Sequence, residues 1–453
     1  MRTNSDITVP RPRNDTWLPV WQPEDPTFWE TEGRGLAWRT MWITTGNLTL
    51  AFAVWFMVSA LVVRLPGVGF ELTTGQLFWL AAMPGLAGGS LRILHSFLTP
   101  LFGTRHVVTF ATLSLLLPVA GWVYVVQDPT TPYWVLMVLA FLTGLGGGNF
   151  SSFMPSTSLF FPKRLQGTAL AIQAGIGNFG VSIVQFVTPW IIGAAVFGAF
   201  AGELQFVTTE AGQRPVWLQN AALVYVPFIL VFAALAWLFL RSVPVRANFR
   251  EQLDIFRLKH GFFMTTLYVM TFGSFAGFAA TFPLLIKTLY GHLPDAPDPL
   301  LYAFLGPLVG SAARVAAGPI SDRFGGAKVT HWAGIGMLVC VTALTFLMSP
   351  QSVAEFPYFL ALMLALFTFA GAGNASTFKQ MPMLFPPRQA AGIIGWTSAV
   401  AAYGPFAAGL MMALSIQFFG TPVAFFYWAA IYYAANIAIN WALYARKDAE
   451  APC

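Results

Sequence analysis

Long apolar stretches separated by short polar ones fill this chain from about residue 41 onward. Each stretch reaches the roughly 20 residues that an α-helix needs to cross a membrane. The connecting segments are short except near 197–219 and 241–261. The pattern therefore predicts twelve membrane-spanning helices. Their expected bounds are 41–63, 76–100, 106–126, 133–160, 166–195, 220–240, 262–288, 299–320, 329–348, 356–385, 390–417 and 422–444.

The segment 241–261 follows the sixth span and carries five basic residues, so it divides the chain into two halves. We expect an all-α membrane protein with twelve transmembrane helices in two pseudo-symmetric six-helix halves. Within the N-terminal tail, Asp25 followed by Pro26 is typical of a helix start. The expected domains are an N-terminal tail at 1–40, a six-helix bundle at 41–240, a linker at 241–261, a second six-helix bundle at 262–446 and a C-terminal tail at 447–453.

Basic residues are concentrated in alternate loops. The two tails and the loops after spans two, four, six, eight and ten hold 18 of the 24 Lys and Arg. The loops on the opposite side hold only Arg64, Arg214 and Lys287. Because cytoplasmic loops carry an excess of Lys and Arg, the pattern places both termini in the cytoplasm.

Composition agrees with a membrane protein, since 57% of the residues are hydrophobic and only 9% are charged. Forty-three Phe and 16 Trp suit lipid-facing surfaces and interfacial belts, and Trp29 and Trp38 of the first tail are expected at the membrane interface. The basic residues lie in short loops rather than on one face of a domain, which argues against nucleic-acid binding. Cys340 and Cys453 suggest neither a disulfide framework nor a metal site, and the five His show no metal-ligand spacing. With no nucleotide-binding loop either, we expect no cofactor and no enzyme.

Two arginines interrupt apolar spans at matched positions in the two halves. Arg92 stands eleven residues before Gly103, and Arg314 stands eleven residues before Gly325. An arginine at mid-bilayer costs roughly 2.5–3.5 kcal/mol even on mild insertion scales, so both are expected to have a use. Buried cations without a nearby acid can hold an anion, and a planar guanidinium matches a planar oxyanion. The alternative is a structural arginine that bonds backbone carbonyls or reaches the cytoplasmic surface.

Spans four and ten are also related. Gly146–Gly167 reads GGGNFSSFMPSTSLFFPKRLQG, and Gly371–Gly392 reads GAGNASTFKQMPMLFPPRQAAG. A glycine-rich start, an Asn and a basic exit after Phe-Pro recur in both. Duplicated halves with a binding site between them are a plan that many transporters share.

These motifs resemble known ones. Gly318–Gly326, GPISDRFGG, resembles the loop motif of the major facilitator superfamily, and Thr99–Arg105 is a degraded copy that lacks the aspartate. Gly175–Gln185, GIGNFGVSIVQ, together with Gly146–Phe153 and the two arginines, resembles the nitrate/nitrite porter family of the NarK type. The likeness covers all twelve spans and the tail segment Trp21–Trp29, and it is loosest in span eleven.

The resemblance implies transport of nitrate and nitrite by alternating access in a bacterial cell inner membrane, and we expect a monomer. It also implies that Arg92 and Arg314 match the family's substrate-binding arginines. Aromatic residues matching Phe150, Tyr268 and Phe272 sandwich the planar anion in that family, although aromatics at helical spacing are more often core packing. The full set of candidate substrate-binding residues is Arg92, Arg314, Asn178, Phe150, Tyr268, Phe272, Gly175, Ser398, Gly395 and Asn374.

Span five carries small and polar residues on one face, among them Gly175, Asn178 and Gln185. Small faces let helices approach closely, so we expect most of these glycines to serve helix packing. Close packing also gives two rocking halves smooth surfaces, so a leucine at Gly148 or Gly177 is expected to block the movement. A polar amide in lipid needs a partner, so Asn178 is expected to donate to the anion.

Two further polar residues have open roles. His95, one turn after Arg92, is either a hydrogen-bonded packing histidine or a titrating group near the site. Lys379, on span ten, either reaches the cytoplasmic interface or adds positive potential to the inner vestibule.

All 18 Asp and Glu fall in a tail, a loop or a span end. Proton-coupled carriers commonly use a buried carboxylate, so the pattern favours obligatory nitrate/nitrite exchange. Nitrate/proton symport, a facilitator-type carrier of another small anion and a non-transporting nitrate sensor are the alternatives.

Overall fold

The computed structural model describes residues 16–198, 202–209, 212–243 and 253–453. Among these residues, twelve helices are long and apolar enough to cross a membrane, and the prediction of twelve spans is confirmed. The first fifteen residues of the expected tail and Arg246 and Arg250 of the linker lie outside the described residues. The helices are α1 Pro26–Leu61, α2 Thr74–Ser96, α3 Leu98–Val125, α4 Tyr133–Ser158, α5 Lys163–Ile191, α6 Asn220–Phe239, α7 Lys259–Tyr290, α8 Pro299–Phe324, α9 Gly326–Thr345, α10 Val353–Leu384, α11 Gly392–Phe419 and α12 Val423–Ala445.

Helix α1 begins at Asp25 and Pro26, the helix start that the sequence predicts. The Asp25 side chain accepts hydrogen bonds from the backbone N–H of Thr27 at 2.8 Å and of Phe28 at 3.4 Å, and Pro26 is the first helical residue. The helix continues to Leu61, so the expected tail boundary at residue 40 falls inside a helix.

Trp29 does not lie at a lipid interface, and that expectation is wrong. Its side chain is 1% exposed and packs against Phe161, with ring centroids 5.9 Å apart. Trp38 contacts the same ring edge-on at 5.3 Å. The start of α1 is therefore held by the connection between α4 and α5, in a small core of its own.

The two halves repeat the same turn after the arginine-bearing helix. The backbone is helical throughout Thr74–Ser114 except at Gly103, whose φ of 77° produces a kink near the start of α3. Gly325 ends α8 with a φ of 91°. Only glycine adopts this region freely, and a Cβ at Gly103 would also collide with Ser242. The alignment that paired the two arginines is thus confirmed in the backbone.

A β-hairpin connects α5 to α6 where the sequence predicted only a loop. Strand β1, Gln205–Thr209, pairs with the antiparallel strand β2, Gly212–Val216. The Gln205 amide donates to the carbonyl of Val126, and Val207 lies against Gly67. The hairpin therefore caps the ends of α1 and α3 on the face opposite the chain termini.

The first half, α1–α6, and the second half, α7–α12, are joined by charged side chains on that same face. Both carboxylate oxygens of Asp298 accept from Arg64 Nη2, at 2.7 and 2.6 Å, with side chains 35% and 23% exposed. Lys287 Nζ donates to the carbonyl of Val63 at 2.5 Å. Each contact links the end of α1 to the second half and holds this face closed.

Helices α5 and α8 bring the two halves into contact. A Cβ at Gly175 of α5 would lie 2.6 Å from the Val315 side chain of α8. The absence of a side chain at Gly175 therefore allows the two halves to approach closely there.

Replacing Asp298 by Asn should loosen the closed face without removing the start of α8. Asn is as good a helix cap as Asp, and the backbone N–H of Leu300 would keep its partner. The lost ion pair with Arg64 is worth about 1 kcal/mol for partly exposed groups, so the ratio of closed to open molecules should fall about fivefold. Spin labels at Thr130 and Ser352 lie in loops of the two halves on this face. The distances between them, measured by double electron–electron resonance, report the ratio of closed to open molecules.

The matched control is Glu30→Gln, which removes the exposed pair between Glu30 and Arg34 inside α1. It should leave the distance distribution unchanged. If Asp298→Asn also leaves it unchanged, the pair does not hold the halves together.

Candidate anion-binding site

Arg92 is fully buried and reaches into both halves. Its Nε donates to the carbonyl of Gly147 at 3.0 Å, and its Nη1 donates to the carbonyl of Ser398, in the other half, at 2.7 Å. Its Nη2 has no hydrogen-bond partner within the described part of the chain. A structural role, in which the arginine bonds backbone carbonyl groups, accounts for two of its three nitrogens. The third nitrogen has no partner in the described residues and is available to a ligand.

Arg314 comes to the same place from the second half. Its side chain is 6% exposed, and its Nη1 has no hydrogen-bond partner among the residues described. Its guanidinium carbon lies 6.0 Å from the centre of the Phe272 ring, and that of Arg92 lies 5.3 Å from the same ring. The two cations are thus brought to one aromatic side chain, although they are 222 residues apart in the chain.

The aromatic candidates surround the arginines. The Phe150 ring of α4 lies 4.5 Å from the Arg92 guanidinium carbon. Tyr268 stacks on Phe272, with ring centroids 5.4 Å apart and planes 5° from parallel. Cation–π attraction is worth about 2 kcal/mol or more between desolvated groups, so these rings also stabilise the buried charges. One ring wall comes from each half.

The backbone of α7 is irregular at these aromatics. A π-helical turn runs over Val269–Gly273, directly after Tyr268, and contains Phe272. Such wider turns are rare and occur frequently at functional sites. The turn changes the spacing of the side chains on α7, so that Tyr268 and Phe272 stack with their planes nearly parallel.

Several buried polar atoms around the site lack hydrogen-bond partners among the described residues. They are both amide atoms of Asn178 and of Asn374 and the hydroxyl group of Ser398, all in side chains at most 1% exposed. Leaving such a group unpaired costs about 1–3 kcal/mol, so a native structure keeps it for a reason. Hydrogen bonding of these groups to a bound oxyanion is such a reason.

The two glycine candidates differ. Gly175 packs against Val315, the residue after Arg314, so it adjoins the site. A Cβ at Gly395 would meet only the Ser96 hydroxyl, at 3.9 Å, and the fold does not require glycine there. A binding role for Gly395 stays a prediction.

Two other glycines do not serve the interface between the halves. A Cβ at Gly148 would lie 2.8 Å from Leu91, and one at Gly177 would lie 2.8 Å from Leu48. Both contacts are inside the first half, so these two glycines serve helix packing, which is the expectation for most of the glycines, and they do not form the surface between the halves. They allow α4 to approach α2 and α5 to approach α1 within a single bundle.

The two residues with open roles have partners. His95 is 6% exposed, and its Nδ1 lies 2.9 Å from the Ser152 hydroxyl, as a packing histidine would. Lys379 forms an ion pair with Asp322 of the GPISDRFGG segment. Both of those side chains are largely exposed, so the pair lies away from the buried arginines.

Sequence reasoning missed two aromatic members of the site. Phe378 of α10 lies 5.5 Å from the Arg314 guanidinium carbon and 4.8 Å from the Tyr268 ring. The centre of the Trp55 ring of α1 lies 5.3 Å from the Arg92 guanidinium carbon. The repeat could have indicated Phe378, because Phe153 occupies the corresponding place in GGGNFSSF. No comparable signal marks Trp55.

Comparison with known proteins gives close relatives. A family model described as the Major Facilitator Superfamily matches residues 43–373. The "Probable nitrate/nitrite antiporter NarK2" of Thermus thermophilus is 63% identical over 439 residues, which cover 97% of this chain and 98% of the relative. The "Nitrate/nitrite transporter NarU" of Salmonella typhimurium is 39% identical, covering 95% of this chain and 96% of the relative. The protein of the same name from Escherichia coli is 37% identical, and the match covers 94% of this chain and 96% of the relative.

A solved structure shares the fold. The crystal structure of a bacterial homologue of the human lysosomal transporter Spinster, in an inward-facing and unoccupied conformation, matches with a TM-score of 0.62. The match covers 89% of this chain and 93% of that one at 13% identity, which supports the fold alone. From the family model and the full-length relatives, the chain belongs to the major facilitator superfamily and, within it, to the nitrate/nitrite porter family of the NarK type.

Proposed function

We propose that this protein transports nitrate and nitrite across a bacterial inner membrane by alternating access. The observation that carries the proposal is the pair Arg92 and Arg314, one from each half, with a nitrogen of each left unpartnered beside the Phe272 ring. An anion bound to both would connect the halves through its own charge. Relatives that match nearly the whole chain carry nitrate/nitrite transporter names.

The lining of the site favours a planar, weakly hydrated anion. Phe150, Phe272 and Phe378 present flat apolar surfaces, which suit nitrate better than a tetrahedral, strongly hydrated phosphate. Guanidinium groups and an amide at Asn178 can donate in the plane of three oxygens. A larger organic phosphate would need more cations than the two that converge here.

The positive-inside pattern supports cytoplasmic termini. In that orientation, the face that Arg64 and Asp298 join is periplasmic. The described conformation would then receive or release the anion on the cytoplasmic side. A single chain contains both arginines, so a monomer is sufficient for transport.

Replacing either Arg92 or Arg314 by Lys should lower nitrate uptake by more than tenfold. Arg92 uses Nε and Nη1 for carbonyl groups and has Nη2 for the anion, whereas a single lysine nitrogen cannot serve all three. Uptake of labelled nitrate into liposomes that contain each variant measures the effect, and size-exclusion chromatography verifies folding.

Arg105→Lys is the matched control, because Arg105 lies over the Trp237 ring, away from the site, and should tolerate the change. Wild-type uptake at low nitrate concentration by a variant at either buried position would remove that arginine from the site.

The absence of a buried acid supports exchange as the coupling mode. Among the Asp and Glu whose side chains the structure describes, none is buried, and Glu30, Glu32 and Asp322 lie only at helix ends. Without an anion, Arg92 and Arg314 repel each other, and no carboxylate beside them can neutralise their charge. An empty carrier should therefore reorient slowly, while a bound nitrate or nitrite relieves the repulsion in either direction.

Exchange predicts that nitrate uptake into liposomes requires internal nitrite or nitrate and moves no protons. A pH-sensitive dye inside the liposomes reports proton movement during uptake of labelled nitrate. Uptake into anion-free liposomes that is driven by a pH gradient, and that His95→Ala abolishes, would instead establish nitrate/proton symport through the one imidazole beside Arg92.

A further inference from the structure

A serine that belongs to none of the motifs lies next to the site. Ser311 is on α8, three residues before Arg314, so the two side chains share one side of the helix. Ser311 is 0% exposed, and its hydroxyl group has no hydrogen-bond partner in the described structure. A buried helical serine commonly bonds the carbonyl one turn earlier, and this one does not.

The contacts of α8 show which way Ser311 faces. Val315, one turn later, packs against Gly175 of α5. The carbonyl of Phe304, two turns earlier, accepts a hydrogen bond at 2.9 Å from the Ser182 hydroxyl of α5. Since Ser311 lies one turn before Val315 on the same face of α8, it faces α5 of the opposite half.

The same two contacts fix the level of Ser311 along α5. The helices run in opposite directions, with Gly175 beside Val315 and Ser182 beside Phe304. Asn178 lies between Gly175 and Ser182 on α5. At the same level on α8, Ser311 lies between Val315 and Phe304. Two buried side chains with unpartnered polar atoms therefore approach from the two halves, one turn from Arg314.

We propose that the Ser311 hydroxyl is an additional donor to the bound anion and favours nitrate over nitrite. The proposal rests on the proposed function. Arg92, Arg314, Asn178 and Tyr268 already offer donors to the site, and nitrate presents one more oxygen than nitrite. Nitrite carries only a lone pair on nitrogen where nitrate carries its third oxygen, and that oxygen projects further from the centre of the anion. A hydroxyl donor on the seam between α5 and α8 that reaches the third oxygen of nitrate is therefore too distant from nitrite.

Ser311→Ala tests this inference without disturbing the packing. Isothermal titration of the purified protein with sodium nitrate and with sodium nitrite gives both dissociation constants. Loss of one hydrogen bond to a charged group corresponds to about a tenfold weaker nitrate affinity, and we expect at most about a twofold change for nitrite. A change in the balance between conformations would weaken both anions alike, so the nitrate-to-nitrite ratio separates the two causes.

Ser321→Ala is the matched control. Ser321 lies on the same helix, is 1% exposed and also has an unpartnered hydroxyl, but it is two turns beyond Arg314. This variant should keep the wild-type ratio. If Ser311→Ala proves unstable in a thermal unfolding assay, Ser311→Cys fills the same space with a weak donor and should lower the ratio in the same direction.

An unchanged ratio in the Ser311 variant, through equal losses or none, would overturn the inference. A wild-type protein that binds neither anion would instead overturn the proposed function, so the two failures are distinguishable.

Discussion

Two buried guanidinium charges, Arg92 on α2 and Arg314 on α8, are the constraint on which the arrangement of the site depends. The membrane offers such groups no solvation, and the described part of the chain places no buried carboxylate beside them. Arg92 is stabilised by two carbonyl groups and by the rings of Phe150 and Phe272. Each arginine nevertheless keeps one unpartnered nitrogen. An anion between them, as we propose, would complete the compensation of both charges.

This constraint explains how binding and movement are connected. Arg92 donates to the backbone of Ser398, so the arginine of the first half already bridges to α11 of the second. On the face opposite the termini, Arg64 and Asp298 join the same halves by direct ion pairing. A carrier that alternates must break one set of contacts as it forms another. In the proposed mechanism, an anion that attracts both arginines is the element common to both conformations.

The sequence predicted the features that repeat or that the bilayer imposes. Twelve spans follow from apolar length, and the arginines follow from their matched distance to Gly103 and Gly325. The family resemblance supplied Phe150 and Tyr268. Features that depend on tertiary packing were not predictable from periodicity, among them the π-helical turn at Val269–Gly273, the hairpin between α5 and α6 and the convergence of Trp55 and Phe378 on the arginines.

The central claim, that one anion lies between the two arginines, is tested most directly by a high-resolution structure determined with nitrate. The account predicts planar density within hydrogen-bond distance of both Arg92 Nη2 and Arg314 Nη1, flanked by the rings of Phe150 and Phe272. Density bound to only one arginine, or nitrate found outside this aromatic enclosure while both arginines keep only protein partners, would contradict it.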